Sequence, residues 1–418
     1  MMFSQALRAD AVVIGAGAAG MLAAAAAARR GLDVVVLEKN DYPGRKLRIT
    51  GKGRCNVTNA CDVREFLTNI PVNGRFLYSA LNKFPPQSAM AYFEALGVPL
   101  KVERGNRVFP ISDKAADISS ALERDARGSG ARFMKARAQN VLEQAGAVIG
   151  VETDIGPIAC GGVIICTGGL SYPATGSTGD GYAFARKLGH TVIAPKASLV
   201  PLVCRGTLCR DLMGLSLRNV RIDVFEDEKK LFSDFGELLF THFGMSGPLI
   251  LSASAHMRHF GEKDYSVAID LKPALDEKTL DRRLLSDFEK HKNNDFINAL
   301  GELLPRKMIP VIVACSEIPP HTKVHSITKE QRQDFLRLLK AFPVAVTGTR
   351  PVEEAIVTTG GVDVREINPR TMASKRVDGL YFAGEVLDVD GYTGGFNLQI
   401  AWSTAYLAGN SVCLERSN

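Results

Sequence analysis

The sequence predicts an α/β fold: a parallel sheet assembled from both ends of the chain around an inserted β-domain that carries a helical subdomain. Three observations predict it. Residues 11–38 read as strand, glycine turn, helix, strand and acid. Two more short apolar strands, Gly162 to Cys166 and Gly379 to Ala383, run straight into polar or glycine-rich turns. Between these strands the pattern changes to short alternating strands and then to charged helices. At roughly 150 residues per domain, 418 residues allow two or three such units.

Composition narrows the function classes. With 46% apolar and 23% charged residues, wholesale disorder and a polytopic membrane protein are both excluded. The 39 glycines exceed ordinary usage and fall in clusters, the pattern expected where backbone turns tightly or approaches a ligand. The net charge of +6 is mild for this length and does not by itself call for nucleic acid. Eight cysteines without a CxxC pair argue against a disulfide scaffold and against a metal site, and fit a cytoplasmic protein. Ala11 to Ala28 is uncharged and long enough to suggest a membrane span or signal segment. Its patterned glycines, the preceding Asp10 and the following strand Val34 to Leu37 oppose both.

Ala11 to Ile14 reads as a buried strand, Gly15-Ala16-Gly17-Ala18-Ala19-Gly20 as GxGxxG, and Met21 to Arg30 as an alanine-rich helix stopped by Gly31. Val34 to Leu37 is the second strand, and Glu38 ends it eighteen residues after Gly20. This context is what the dinucleotide fingerprint requires. Gly15 permits the turn, Gly17 lets amides near a pyrophosphate, and Gly20 lets the helix pack close to the strand. Ala18 and Ala19 open the helix whose N-terminus faces the phosphates. Glu38, followed by Lys39, is placed to accept from ribose hydroxyls and to repel a 2′-phosphate.

The next stretch favours FAD over NAD. Between Arg45 and Arg54 lie five cations and no acid, interleaved with glycines through Gly53 and followed by Cys55 and Asn56. Arg45, Lys46 and Arg54 suit an anionic cofactor; a solvated basic loop or an RNA contact is the alternative use of such a segment.

Four motifs carry a resemblance that spans nearly the whole chain: Gly44 to Asn59, Ile165 to Gly181, Leu239 to Pro248 and Thr358 to Trp402. The sequence resembles the bacterial NAD(P)/FAD-dependent oxidoreductases of the aminoacetone-oxidase and bile-acid-reductase type, within the flavoproteins of the two-dinucleotide-binding-fold class. Position 52 is more often Gly or Ser in such loops, so Lys52 is a departure. The resemblance implies a discontinuous Rossmann-like FAD domain (residues 1–190 and 355–418), an inserted β-barrel-like domain (191–271 with 341–354) and a helical subdomain (272–340). It also implies that Thr167, Gly168 and Gly169 return the chain to the adenine side, that backbone near Ala138 touches adenine, and that Gly384 and Glu385 lie along the ribityl chain and pyrophosphate.

Asp180 precedes a helix over Tyr182 to Leu188 and reads as its N-cap or as a cofactor contact. Gly394, Gly395, Phe396 and Asn397 open a helix over Leu398 to Leu407, whose dipole favours negative charge on a reduced flavin. In the middle, strands are expected at Ser198 to Cys204, Ser216 to Phe225 and Ser266 to Leu271. Helices are expected at Glu277 to Lys290, Phe296 to Leu304, Lys307 to Ser316 and Lys329 to Lys340.

His242, in a glycine-rich loop, and Tyr392, beside Gly394, are the candidates for protonating or orienting substrate. Cys55 and Cys61 are separated by five residues, whereas flavin disulfide reductases use two cysteines with four between, so Cys55 reads as a loop residue beside FAD. The expected function is FAD-dependent hydride transfer between the flavin and a small organic substrate, with oxygen as the alternative acceptor; because there is one fingerprint only, no second Rossmann domain holds NADH or NADPH, and either one, where it is the donor, visits transiently over the flavin. A tRNA-acting flavoprotein and a non-catalytic redox sensor are the alternatives, with nucleic acid and membrane partners disfavoured.

Overall fold

The computed structural model describes residues 7–413; the outermost ends of the expected FAD-binding segments, 1–6 and 414–418, lie outside the described residues. The chain divides into two compact units, one joining the residues up to Ser198 to those from Val352, the other Leu199–Pro351.

The first unit is built on a five-stranded parallel sheet in the order Leu380–Phe382, Gly162–Ile165, Ala11–Ile14, Val34–Glu38, Arg132–Lys135. Every residue of the two central strands is buried, as expected for a parallel sheet covered on both faces. The helix Ala18–Ala28 follows the first strand and buries ten of its eleven residues. Its alanines let the C-terminal helix, Phe396–Ser411, cross closely: a Cβ at Gly409 would overlap the Ala23 carbonyl. Arg30 donates to the carbonyls of Gly409 (3.1 Å) and Val412 (2.6 Å), placing a cation at the negative end of that helix. The uncharged run at 11–28 is thus a strand, a turn and a short helix, and among the described residues no helix is long and apolar enough to cross a membrane.

Smaller sheets complete this unit. Leu7–Arg8, Gly156–Ala159, Ala147–Thr153 and Ala138–Gln144 form a four-stranded sheet, Thr58–Asn59, Arg107–Pro110 and Leu100–Glu103 a three-stranded one. Arg132–Lys135 stays outside this antiparallel sheet and pairs in parallel with Val35 to Glu38. Val357–Val362 pairs antiparallel with Val192–Ser198 rather than joining the main sheet.

The second unit is a closed six-stranded barrel of Leu202–Cys204, Gly244–Ser246, Lys229–Phe240, Ser216–Glu226, Tyr265–Asp270 and Phe342–Thr349. The helices Glu277–Lys290 and Lys329–Lys340 share one apolar core with it, through residues such as Leu280, Leu284, Phe335 and Leu339. Asp276 caps the first of these, and Thr328 with Gln331 forms a capping box on the second. The expected helix from Phe296 to Leu304 is shorter, ending at Ala299.

Candidate functional site

The site residues drawn from the two chain ends meet in the first unit at the C-terminal edge of the parallel sheet, where ligands bind in open α/β sheets. Gly15 (φ 99°) turns the chain out of its strand; a Cβ there would come within 2.7 Å of the Cys166 carbonyl oxygen. At Gly20 a Cβ would overlap the Gly15 carbonyl, so helix and strand approach as only glycine allows. Gly17 differs: a Cβ there would meet nothing within 4 Å, so the chain itself does not require that glycine.

Glu38 braces the turn from below. One carboxylate oxygen accepts from the Ala16 amide (3.1 Å), the other from the Asn40 amide (2.8 Å) and side chain (2.7 Å). Lys39 donates to Asp180 (2.7 Å) and Thr178 (2.5 Å), tying the end of that strand to the 168–181 segment. Asp180 is therefore not the N-cap: Gly179 holds that position, and Asp180 spends its carboxylate on Lys39. Ala138 is buried at the head of its strand opposite Thr153.

The cation-rich segment is not a loop. Arg45–Ile49 is a helical turn followed by a tight turn through Thr50–Gly53, in which Gly51 (φ 57°) and Lys52 (φ 59°) are left-handed. Its cations are matched by partners remote in sequence. Arg54 pairs with Glu103 (2.5 Å) and Asp113 (2.6 Å) while its guanidinium lies 4.1 Å from the Phe109 ring centroid. Arg45 donates to Asn40 (2.9 Å) and lies against Tyr42. Lys46 donates to Glu385 (2.7 Å) and Ser171 (2.6 Å).

Glu385 is the hub that joins three motifs. Besides Lys46 it accepts from the Thr358 amide (3.0 Å) and the Ser171 hydroxyl (3.3 Å). Gly169 lies so close that a Cβ would meet Thr358 Oγ1 and the Glu385 carboxylate. Gly384 donates to Thr404 (3.0 Å), and Gly168 abuts Ser177. Ser171 and Thr358, absent from the expected site set, both lie inside motifs the sequence singled out. Glu103 and Asp113 carry no comparable signal.

The last helix starts at Gly395 (φ 101°), held against the 57–59 segment. Asn59 donates to the Gly394 carbonyl (3.1 Å), Thr58 to Gln399 (2.7 Å) and Trp402 to the Val57 carbonyl (2.9 Å). Asn397 closes the preceding turn by accepting from the Gly391 amide (2.9 Å) and donating to its carbonyl (2.7 Å). Phe396 packs edge-on against Phe66. Tyr392 is half-buried, its amide donating to Asn69 (3.0 Å).

Several features leave room for an anionic cofactor. The helices starting at Gly17 and Gly395 have no side-chain cap and no acid in their first turns. Such ends attract anions. Thr167 Oγ1 and Asn56 Oδ1 are buried and lack a hydrogen-bond partner among the described residues, a state with a cost that a bound group can remove. Gly53 faces open space. Cys55 is fully buried and left-handed (φ 60°), and burial pushes its thiol up to about 12; Cys61 rises to about 11 for the same reason, so neither is a ready thiolate.

In the second unit, His242 is exposed on the turn between Lys229–Phe240 and Gly244–Ser246, its ring edge-on to Phe243.

The profile described as HI0933-like protein Rossmann domain matches residues 9–411. The chain is 32% identical over 414 residues to the ribosomal RNA dihydrouridine synthase of Escherichia coli K12, covering 98% of this chain and 100% of that one. It is 31% identical over 404 residues to the 3-dehydro-bile acid delta(4,6)-reductase of Clostridium scindens, covering 96% and 98%. Among solved structures, the 3-ketosteroid-delta4-(5alpha)-dehydrogenase of Rhodococcus jostii RHA1 aligns with 99% of this chain and 98% of its own at a TM-score of 0.54 and 15% identity, a likeness of fold.

Proposed function

This chain belongs to the HI0933-like Rossmann-domain family, and from that premise we propose that it is an FAD-dependent oxidoreductase that reduces a carbon–carbon double bond conjugated to a carbonyl. The observation that carries the cofactor half is the pair of uncapped helix N-termini beside a Gly17 that the chain does not need for itself. FAD, when bound, supplies the hydride. The amides that follow Gly17 hold its pyrophosphate, and Glu38 its ribose. The first turn after Gly395 favours negative charge at the flavin end. Because Arg45, Lys46 and Arg54 already have protein partners, anion binding rests on backbone amides more than on these cations.

The substrate half is supported by what the two relatives' names have in common. Dihydrouridine differs from uridine by saturation of a ring double bond next to a carbonyl, and a delta(4,6)-reductase of a 3-dehydro bile acid saturates double bonds in line with the 3-oxo group. A small organic molecule carrying that unit is the proposed substrate, with NADH or NADPH as the proposed donor. The proton that accompanies the hydride comes from a side chain; Tyr392 is the candidate in the first unit and His242 in the second.

A second reading, uridine within RNA, is favoured by the full-length match to a ribosomal RNA enzyme and by the +6 charge. The helical insert adds little to it, because Arg283, Lys290, Lys292, Arg332 and Lys340 are each paired with a carboxylate.

Anaerobic mixing tests both halves. Purified protein should carry FAD, lose its visible flavin absorbance on NADH or NADPH, and regain it on adding an α,β-unsaturated ketone. Absence of FAD, or reduced protein that no conjugated carbonyl reoxidises, would overturn the proposal. Reoxidation by uridine-containing RNA alone, with binding that falls steeply with salt, would select the second reading.

A further inference from the structure

Of the seven histidines, His190 alone belongs to the first unit, and its side chain is fully buried. It follows the helix Asp180–Lys187, its amide donating to the Ala185 carbonyl (2.9 Å). Its ring stands edge-on to Phe382, with 5.1 Å between centroids. Both ring nitrogens are engaged: Nδ1 lies 3.0 Å from Glu366 Oε2, and Nε2 lies 2.9 Å from Ser374 Oγ.

These partners fix where the imidazole hydrogen sits. Ser374 Oγ accepts from the amides of Arg376 and Val377 (2.9 Å each), which fills both its lone pairs, so its own hydrogen goes to His190 Nε2. Glu366 accepts from the Thr191 amide (2.9 Å), the Thr191 hydroxyl (2.9 Å) and Arg376 (2.6 Å). Burial opposes its charge, but these donors hold its carboxyl down to about 2, so it stays an acceptor and Nδ1 carries the hydrogen. A second proton, at Nε2, would meet the Ser374 hydroxyl hydrogen; to receive it, Ser374 must give up one of its amides. Burial pushes the same way and holds His190 below its ordinary value despite Glu366.

The segment held by these bonds covers the edge of the parallel sheet. The Ser374 amide donates to the Leu380 carbonyl (2.7 Å), and the Phe382 amide to the Met372 carbonyl (3.1 Å). The strand Leu380–Phe382 then runs into Gly384 and Glu385.

We infer that His190 is an acid-sensitive latch: neutral, it fastens the 366–377 segment over the edge strand that leads to Glu385, and protonated, it lets that segment open. In the open state the imidazole takes a proton near its ordinary value of about 6.5, so acid draws the segment open and the latch is fully set only above that value. The charged groups around it are accounted for. Glu366 and Arg376 pair with each other, Asp363 pairs with Arg365 (2.5 Å), and Lys375 donates to the Arg365 carbonyl (2.9 Å). Arg186 and Lys187 lie in the last turn of the preceding helix, and the strand Leu380–Phe382 carries no charge. Asp388, pushed up by burial, is the other acid of this region that moves toward neutral pH.

The latch concerns the chain alone, so it is tested in FAD-free protein, and its failure leaves the cofactor reading untouched. Amide hydrogen exchange is followed at pH 7.5 and 5.5 and corrected for the intrinsic exchange rate, in peptides spanning 366–377 and, as reference, the helix Ala18–Ala28. Protection of the 366–377 amides should fall about five- to tenfold at the lower pH, tenfold being about what one proton taken up near 6.5 allows, while the reference helix stays unchanged. In His190→Gln, which does not titrate, protection should be equal at the two pH values; titration of Asp388 would leave the change in place. Unchanged protection in the wild type, or a pH dependence that His190→Gln retains, would overturn the inference.

Discussion

Gly17 begins the helix Ala18–Ala28 and Gly395 begins the helix Phe396–Ser411; the two helices pack together, and neither N-terminus has a side-chain cap or an acid in its first turn. Their glycines nevertheless answer to different demands. Gly395 has φ 101°, and a Cβ there would overlap the Thr58 carbonyl. Gly17 has φ −80°, and its Cβ would point into open space. The chain needs one glycine to fold, whereas it needs the other only if something outside the chain comes close. The difference separates residues that build a site from residues that serve its ligand, although both sit in glycine-rich motifs.

The largest effect should come from breaking the folding side of the comparison. Gly395→Ala combines a disfavoured φ with an overlap against backbone and should cost about 3 kcal/mol of stability, read as a lowered urea midpoint of the FAD-free protein. Gly20→Ala, overlapping the Gly15 carbonyl, should behave alike. On the ligand side, Gly17→Ala should leave the FAD-free Tm unchanged but weaken FAD binding about tenfold, about 1.4 kcal/mol, by isothermal titration. Equal loss of stability in both variants would erase the distinction.

Lys46→Met leaves Glu385 without its cation and should cost about 1 kcal/mol, since the pair is only partly exposed and two hydrogen bonds go with it. No change in stability would mean that Ser171 and Thr358 hold Glu385 unaided. The smallest effect is a gain: Lys52, left-handed at φ 59° and exposed, should become more favourable by about 0.5 kcal/mol as Lys52→Gly, seen as a raised Tm.

The same contrast explains what was legible in the sequence. Residues 11–38 could be read because every reason is local: a strand, a glycine where the chain turns, a helix former, an acid at the next strand end. The partners of the cations could not. Glu103 and Asp113 reach Arg54 from a hairpin far along the chain, and Asp180 turns from a cap into the partner of Lys39. In the second unit, Lys229–Phe240 carries no strand signal of its own, because only Leu238 and Phe240 of it are buried. It is nonetheless a central barrel strand, paired with Ser216–Glu226 across a two-residue turn. Phe342–Thr349 alternates buried and exposed residues over its first six positions.

The central claim is that the first unit holds FAD at helix ends the chain leaves bare, and titration of FAD into cofactor-free protein tests it most directly. One FAD should bind per chain, with Gly17→Ala binding about tenfold more weakly at an unchanged FAD-free Tm. Wild-type protein that takes up no FAD, or a Gly17→Ala variant that binds it as tightly as wild type, would contradict the account.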